Sequence, residues 1–277
     1  MRLHGTVRAR LADDWEATHE SAPPETELLM MKRMWLQGVR YSIGLAAAAA
    51  ILSPVAAHAQ IRQVSSSDHT QAIGFTLGGF FPRGEDSRVE GDVLFRDLDD
   101  LLFEVKDFTG GSVSGEWLFA LGDFMEGGVS AGFYQRTVPS VYRAFQNEDG
   151  SEIDQDLKLR IVPVTATVRF LPIGRGGVEP YVGVGVGAFN WRYSETGQFV
   201  DTSDSTVFRA RYIANGTAVG PVILAGIRAP IADVWDIGGE LQWQRASGDT
   251  NPSESGLVGD KIDLGGFHAL LTMHVRF

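Results

Sequence analysis

Residues 265–277 (GGFHALLTMHVRF) alternate strictly. Phe267, Ala269, Leu271, Met273, Val275 and Phe277 are apolar at every second position, and His268, Leu270, Thr272, His274 and Arg276, mostly polar, fall between them. A period of two marks a β-strand with two chemically different faces. One face carries no charge over about a dozen residues, roughly the reach a tilted strand needs to cross a hydrocarbon layer. Such a strand suits either the last strand of a soluble sandwich or a wall strand of a membrane barrel. The rest of the chain decides between them.

Seven earlier stretches carry strand patterns: residues 72–81, 112–121, 124–138, 157–171, 180–193, 217–229 and 235–246, with the closing strand taken as 261–277. Strands this long exceed the usual five or six residues. The connections alternate in length. Those after strands two, four and six hold about two to eight residues, and those after one, three, five and seven hold about 14 to 30, mostly polar. A soluble barrel has no reason to gather all its long loops at one end, whereas a membrane barrel does. The expected fold is therefore all-β: an eight-stranded antiparallel up-and-down transmembrane β-barrel over residues 72–277, with short periplasmic turns and long extracellular loops. A barrel of eight strands is narrow enough for side chains to fill it.

The 277-residue chain has no cysteine, which excludes disulfides, thiolate metal sites and a cysteine nucleophile. Net charge is -11, and residues 1–59 hold as many Lys/Arg as Asp/Glu, so the excess acid lies in the remainder. That balance argues against nucleic acid as a partner. Residues 31–59 carry the parts of a secretory signal: Lys32, Arg33 and Arg40, then the apolar run 43–51 (IGLAAAAAI), then Ala57-His58-Ala59. The expected cut falls between Ala59 and Gln60. Residues 1–30 read as an extra N-terminal extension or a start assigned too early, and 60–71 as a short polar lead-in.

If one face of each strand meets lipid, its charges belong on the other. Strand two sets Trp117, Phe119 and Leu121 against Glu116. Strand three sets Met125, Val129, Ala131 and Phe133 against Glu126, Tyr134 and Arg136. Strand four opposes Val164, Ala166, Val168 and Phe170 to Arg169, strand six opposes Ile223, Ala225 and Ile227 to Arg228, and strand seven opposes Ile237, Leu241 and Trp243 to Glu240. Strand five stays open: either Val182, Val184 and Val186 or Tyr181, Phe189, Trp191 and Tyr193 face outward. The expected interior polar network is Glu116, Glu126, Arg136, Arg169, Arg228, Glu240, His268, His274 and Arg276. Buried charges must be paired, so a carboxylate–guanidinium network closing the lumen is expected. Trp117, Trp191, Trp235, Trp243, Tyr181, Tyr193 and Phe277 are candidates for aromatic girdles. In the first long loop, Val93, Leu94, Leu98, Leu101, Leu102 and Val105 recur at helical spacing among aspartates, which predicts a short helix packed on the loops.

The segment 169–189 (RFLPIGRGGVEPYVGVGVGAF) resembles the Pro-Tyr-Val-Gly-x-Gly-x-Gly hairpin of OmpA-like and OmpW-like eight-stranded outer-membrane β-barrels. The aromatic ending at Phe277 resembles the assembly signal of such barrels. The resemblance covers about residues 70–277. It implies an outer-membrane location and contact with outer-membrane lipid and lipopolysaccharide. It also implies assembly by periplasmic chaperones and the barrel assembly machinery, and a monomer. Members include structural and surface proteins, and the OmpW group carries small hydrophobic molecules. Some eight-stranded barrels modify lipid A with a His–Ser pair, but neither His268 nor His274 has a Ser two residues on, so no catalytic residue is assigned. His268 and His274 lie roughly 20 Å apart on one strand, so no metal site and no cofactor are expected. N-terminal sequencing of the exported protein should begin at Gln60; a first residue upstream of Ala59 would refute the signal assignment.

Overall fold

The alternation of apolar and polar residues has one geometric consequence: every strand has a face for each environment, and the sheet must close to hide its edges. In the computed structural model, which describes residues 69–201 and 203–277, it does close. Eight strands form the wall: β1 (Gln71–Pro82), β2 (Gly110–Ala120), β3 (Met125–Gln146), β4 (Glu152–Phe170), β5 (Glu179–Val200), β6 (Val207–Pro230), β7 (Trp235–Gln244) and β8 (Gly266–Arg276). Each pairs antiparallel with the next, and β8 pairs back onto β1 from Ala72↔Arg276 to Pro82↔Gly266. Gln71 and Phe277 exchange backbone hydrogen bonds at the seam. The expected signal (31–59, cut at Ala59/Gln60), the extension 1–30 and most of the lead-in 60–71 lie outside the described residues.

The outer face of the wall is apolar over a continuous belt. Leu271 is 68% exposed, Val219 69% and Val184 62%, and Ile73, Phe75, Leu77, Phe133, Val168, Ile223 and Leu241 are exposed with them. Soluble proteins rarely show a patch of this extent; it suits hydrocarbon. Strand five, open in the sequence, resolves here: Val182, Val184 and Val186 face outward, while Tyr181, Phe189, Trp191 and Tyr193 are buried inside. This corrects the girdle assignment for Trp191, Tyr181 and Tyr193. Trp117, Trp235 and Phe277 do stand on the outer surface, Trp243 is half-buried, and Trp117 Nε1 donates to Gln71 Oε1 at the turn rim.

Connections at the turn rim are short, at residues 121–124, 171–178 and 231–234. At the other end, two connections differ from expectation. The segments after the third and fifth strands are not long loops: β3–β4 and β5–β6 continue as extended hairpins turning at 147–151 and 201–206. Pro139 does not end its strand. It pairs with Asp156 at a level past the last β2–β3 partner, where β3 is an edge of the wall that can spare an N–H. The extensions persist because their inner face buries Val138, Ile153, Leu157, Leu159 and Tyr193. At the first hairpin tip, Asp149 accepts from the Ser151 amide and hydroxyl, which holds its carboxyl below the ordinary value.

The remaining connections, 83–109 and 245–265, fold into the mouth. The predicted helix is a single turn, α1 (Val93–Asp97), capped by Asp92 accepting from Phe95 N, and it buries Val93 and Leu94. Leu101, Phe108, Leu257, Ile262 and Leu264 join Phe80, Tyr134, Phe189 and Trp191 in one apolar interior. Two buried carboxylates staple the loops together. Asp92 accepts from Arg88 Nε at 2.5 Å and from Asp263 N at 2.6 Å; Asp263 accepts from Arg83 Nη1 at 3.1 Å and Val89 N at 3.0 Å. The expected eighth strand is correspondingly shorter. Lys261–Asp263 pairs with Ser247–Asp249 in a separate small sheet, and the wall strand starts at Gly266. In urea titrations of the vesicle-inserted barrel, Leu271→Arg should lower stability by about 2–4 kcal/mol and Asn190→Arg, at the edge of the belt, by about 0–1 kcal/mol. Equal losses at the two positions would overturn the assignment of the belt.

Candidate functional site

Near the turn rim, inward positions of seven strands converge. Register brings opposite charges face to face: Glu126 lies opposite Arg169, Glu179 opposite Arg228, and His274 opposite Asp236. Such cross-strand pairs are the units from which a sheet face is stabilised. Arg228 grips Glu126 with both terminal nitrogens, at 2.9 and 2.7 Å, and gives its Nε to Glu179 at 2.7 Å. Arg169 Nη2 reaches Glu116 at 2.5 Å and Glu240 at 3.1 Å. Arg276 lies 3.0 Å from Glu179 and bonds Asp236 through Nε. His274 Nε2 sits 2.7 Å from Glu116 Oε1.

Tyr181 holds the centre. Its hydroxyl donates to Glu240 at 3.0 Å, and the Arg169 and Arg228 guanidinia lie over its ring at 5.0 and 5.7 Å. Cations over an aromatic face gain further attraction where water is absent. Two glycines make the room. A Cβ on Gly226 would run into the Tyr181 hydroxyl, and one on Gly74 would run into the His274 ring. Five carboxylates (Glu116, Glu126, Glu179, Asp236, Glu240) thus face Arg169, Arg228, Arg276 and, at 3.6 Å from Glu126, Arg175, with His274 as the remaining basic group. Removing one member of such a set strands an uncompensated charge.

Above this layer the interior changes to hydroxyls: Thr76 with Ser114 at 2.6 Å and Ser130 with Thr165 at 2.8 Å. His268 belongs here rather than in the ionic layer. It lies between Ser112 Oγ at 3.4 Å from Nδ1 and Gln244 Oε1 at 3.2 Å from Nε2, with its ring tilted against Phe80. The buried Ser112–His268 pair faces a small cavity of about 30 Å³ that Val113 and Phe133 of the outer face also border. That volume is about the share of one water molecule. Above the hydroxyls comes the apolar plug.

Of the nine residues read as interior, Glu116, Glu126, Arg169, Arg228, Glu240, His274 and Arg276 meet in the network, and His268 lies one layer up. Arg136 is the departure. It has inward parity but sits past the last β2–β3 pair, level with Gly110, is exposed, and donates to the Asp107 carbonyl of the first loop. Glu179, Asp236, Tyr181 and Arg175 are not among the residues that the sequence assigns to the network. Asp236 shares parity with Glu240, so a signal exists for it. Glu179 and Arg175 sit in a Gly-rich turn segment by composition, and only the fold turns them inward.

No family model and no curated protein sequence matches the chain. Among solved structures, OprG from Pseudomonas aeruginosa is similar over 76% of this chain and 96% of its own, at 11% identity and a TM-score of 0.44. A major outer membrane protein from Thermus thermophilus is similar over 76% and 100%, at 13% identity and a TM-score of 0.40. The outer membrane protease OmpT of Escherichia coli is similar over 77% and 98%, at 8% identity and a TM-score of 0.39. The closed strand pairing, rather than these likenesses, establishes the eight-stranded barrel here.

Arg228→Gln should destabilise the barrel by about 3–5 kcal/mol, the usual cost of a stranded buried charge. Arg136→Gln should stay within about 0.5 kcal/mol. Adding Glu126→Gln to Arg228→Gln should cost less than the two single changes summed. Chemical unfolding in vesicles measures all four; a loss at Arg228 no larger than at Arg136 would dissolve the network as a structural unit.

Proposed function

We propose that this chain is an integral protein of the bacterial outer membrane with a structural or surface role and a closed lumen. The short-turn rim then faces the periplasm and the loop end faces outward. The closed sheet with its apolar belt supports the membrane reading, since barrels and helices alone satisfy their backbone within lipid. The expected signal at residues 31–59 supports export. The single observation behind the closed lumen is its two-part filling: an ionic layer near one rim and an apolar loop plug at the other. Among the described residues, small cavities of about 10 and 30 Å³ border and separate these layers, each with room for a water molecule or two. The barrel is read as non-catalytic, because Ser112 and His268 are shut away from lipid. Its partners are outer-membrane lipid and lipopolysaccharide, with assembly by periplasmic chaperones and the barrel assembly machinery. Within the belt the closed sheet leaves no edge for pairing between copies, which fits a monomer.

One observation favours a passive carrier of small hydrophobic molecules as a second reading. The β3–β4 ladder skips Gly132/Pro163 and Phe133/Val162 between the pairs Ala131↔Val164 and Tyr134↔Ile161, and the small cavity borders this interruption. Its lining mixes Ser112, Ser114, Ser130, Thr165 and His268 with Val113, Phe133, Pro163 and Leu270, and its volume of about 30 Å³ holds no hydrophobic solute in this form. Planar-bilayer recording decides the main reading. The wild-type barrel should give no large stable openings, and Glu116→Gln or Arg228→Gln should raise opening frequency. Large stable wild-type openings would refute the closed lumen, and faster entry of a hydrophobic dye into loaded vesicles without ion conductance would favour the carrier.

A further inference from the structure

The outer wall above the belt carries a cationic cluster that neither the belt nor the lumen requires. Reading across β3, β4, β5 and β6, outward residues fall into rows. The row Val164, Ala188 and Val219 is apolar; the next, Val162, Asn190 and Thr217, is mixed. The row above it is Gln135, Arg160, Arg192 and Asn215, and the one above that holds Lys158 and Ser194. Arg211, opposite Thr196, closes the far side. Arg160 thus stands two residues beyond Val162, about 7 Å along the strand. That is the depth of a headgroup layer some 5–8 Å thick on each side of the hydrocarbon.

Arg160 and Arg192 are directly opposite partners. Like charges so placed destabilise a sheet unless something of opposite sign lies between them. Among the described residues no ion pair involves Lys158, Arg160, Arg192 or Arg211. The nearest acids on this face, Asp154 and Asp156, lie further up β4; Asp156 faces Thr196 and Pro139. Arg160 Nε is buried without a hydrogen-bond partner. Lys158, Arg160, Arg192, Arg211, Gln135 and Ser194 line a recess of about 150 Å³, and Ser194 is only 4% exposed despite facing outward. On a chain of net charge -11, this is a local reversal of sign.

We propose that this recess binds a headgroup phosphate of a phosphorylated lipid in the loop-end leaflet, with the lipid's acyl chains lying along Val162, Val164, Ala188 and Val219 below. Arginine forks match phosphate oxygens two at a time, and a phosphate between Arg160 and Arg192 removes their repulsion. An amphiphile fits because the recess opens directly onto the belt. The inference rests on the outer-membrane reading above.

The test uses the full barrel reconstituted in zwitterionic vesicles doped with either bisphosphorylated or dephosphorylated lipid A. Lipid retained on the re-extracted barrel is quantified by mass spectrometry. The wild type should retain the phosphorylated lipid about tenfold or more over the dephosphorylated one, a scale set by the attraction of basic residues to anionic lipid. Arg160→Gln/Arg192→Gln should reduce retention to the dephosphorylated level, and Lys158→Gln/Arg211→Gln should reduce it partly. Inorganic phosphate at equal concentration should not displace the lipid; displacement would reassign the recess to free anions and overturn the proposal. Equal retention of the two lipids by the wild type would also overturn it, even if the double variant failed to fold. Heat-modifiable gel migration and vesicle insertion are scored separately. A barrel that inserts but does not discriminate sinks only this proposal, whereas a chain that stays soluble sinks the membrane reading as well.

Discussion

Closure of the sheet is the constraint on which the rest depends. Within hydrocarbon no water can take up an unpaired amide or carbonyl, so every wall strand needs partners on both sides. The β1–β8 ladder, from Ala72↔Arg276 to Pro82↔Gly266, meets that requirement and fixes the strand number at an even value with both wall ends at one rim. Above the belt the rule relaxes. There β3 carries Pro139 at an edge, and the hairpins β3–β4 and β5–β6 stand free of complete closure.

A narrow closed wall then dictates its contents. An eight-stranded interior must be filled by side chains, and this one is filled in layers according to what lies at each rim. Near the turns, which are too short to fill the lumen, carboxylates and guanidinia from seven strands neutralise each other around Tyr181. Near the mouth, long loops bring Val93, Leu94, Phe108 and Leu264 inward, so the same wall faces an apolar plug held by Asp92 and Asp263. Hydroxyls and His268 occupy the boundary between them.

Parity makes much of this legible in advance. A period of two assigns each residue to one face, so Glu116, Glu126, Arg169, Arg228, Glu240, His274 and Arg276 can be named as facing inward from the sequence. Parity says nothing of depth, which is why Arg136 shares their face but lies beyond the last β2–β3 pair and meets the first loop instead. It also fails where both faces look alike, as on the fifth strand, where the valine face and the aromatic face are each apolar. There the filling decides: the rings fill the lumen, and the smaller valines meet lipid. Composition misleads at the hairpins, because their polar outward residues read as loop while the buried alternate positions keep the ladder going.

From the sequence alone one reads an antiparallel barrel of eight strands, the face of nearly every strand that meets lipid, and seven of the charged or basic residues that lie inside. These follow from alternation and loop spacing, which are local properties of a chain. Only the tertiary structure decided which charges pair, how far the hairpins rise, that the first and last long loops plug the mouth, and that Arg160 and Arg192 stand side by side on the outer wall. Those depend on register between strands far apart in the chain, and register is set by closure of the whole sheet rather than by any one segment.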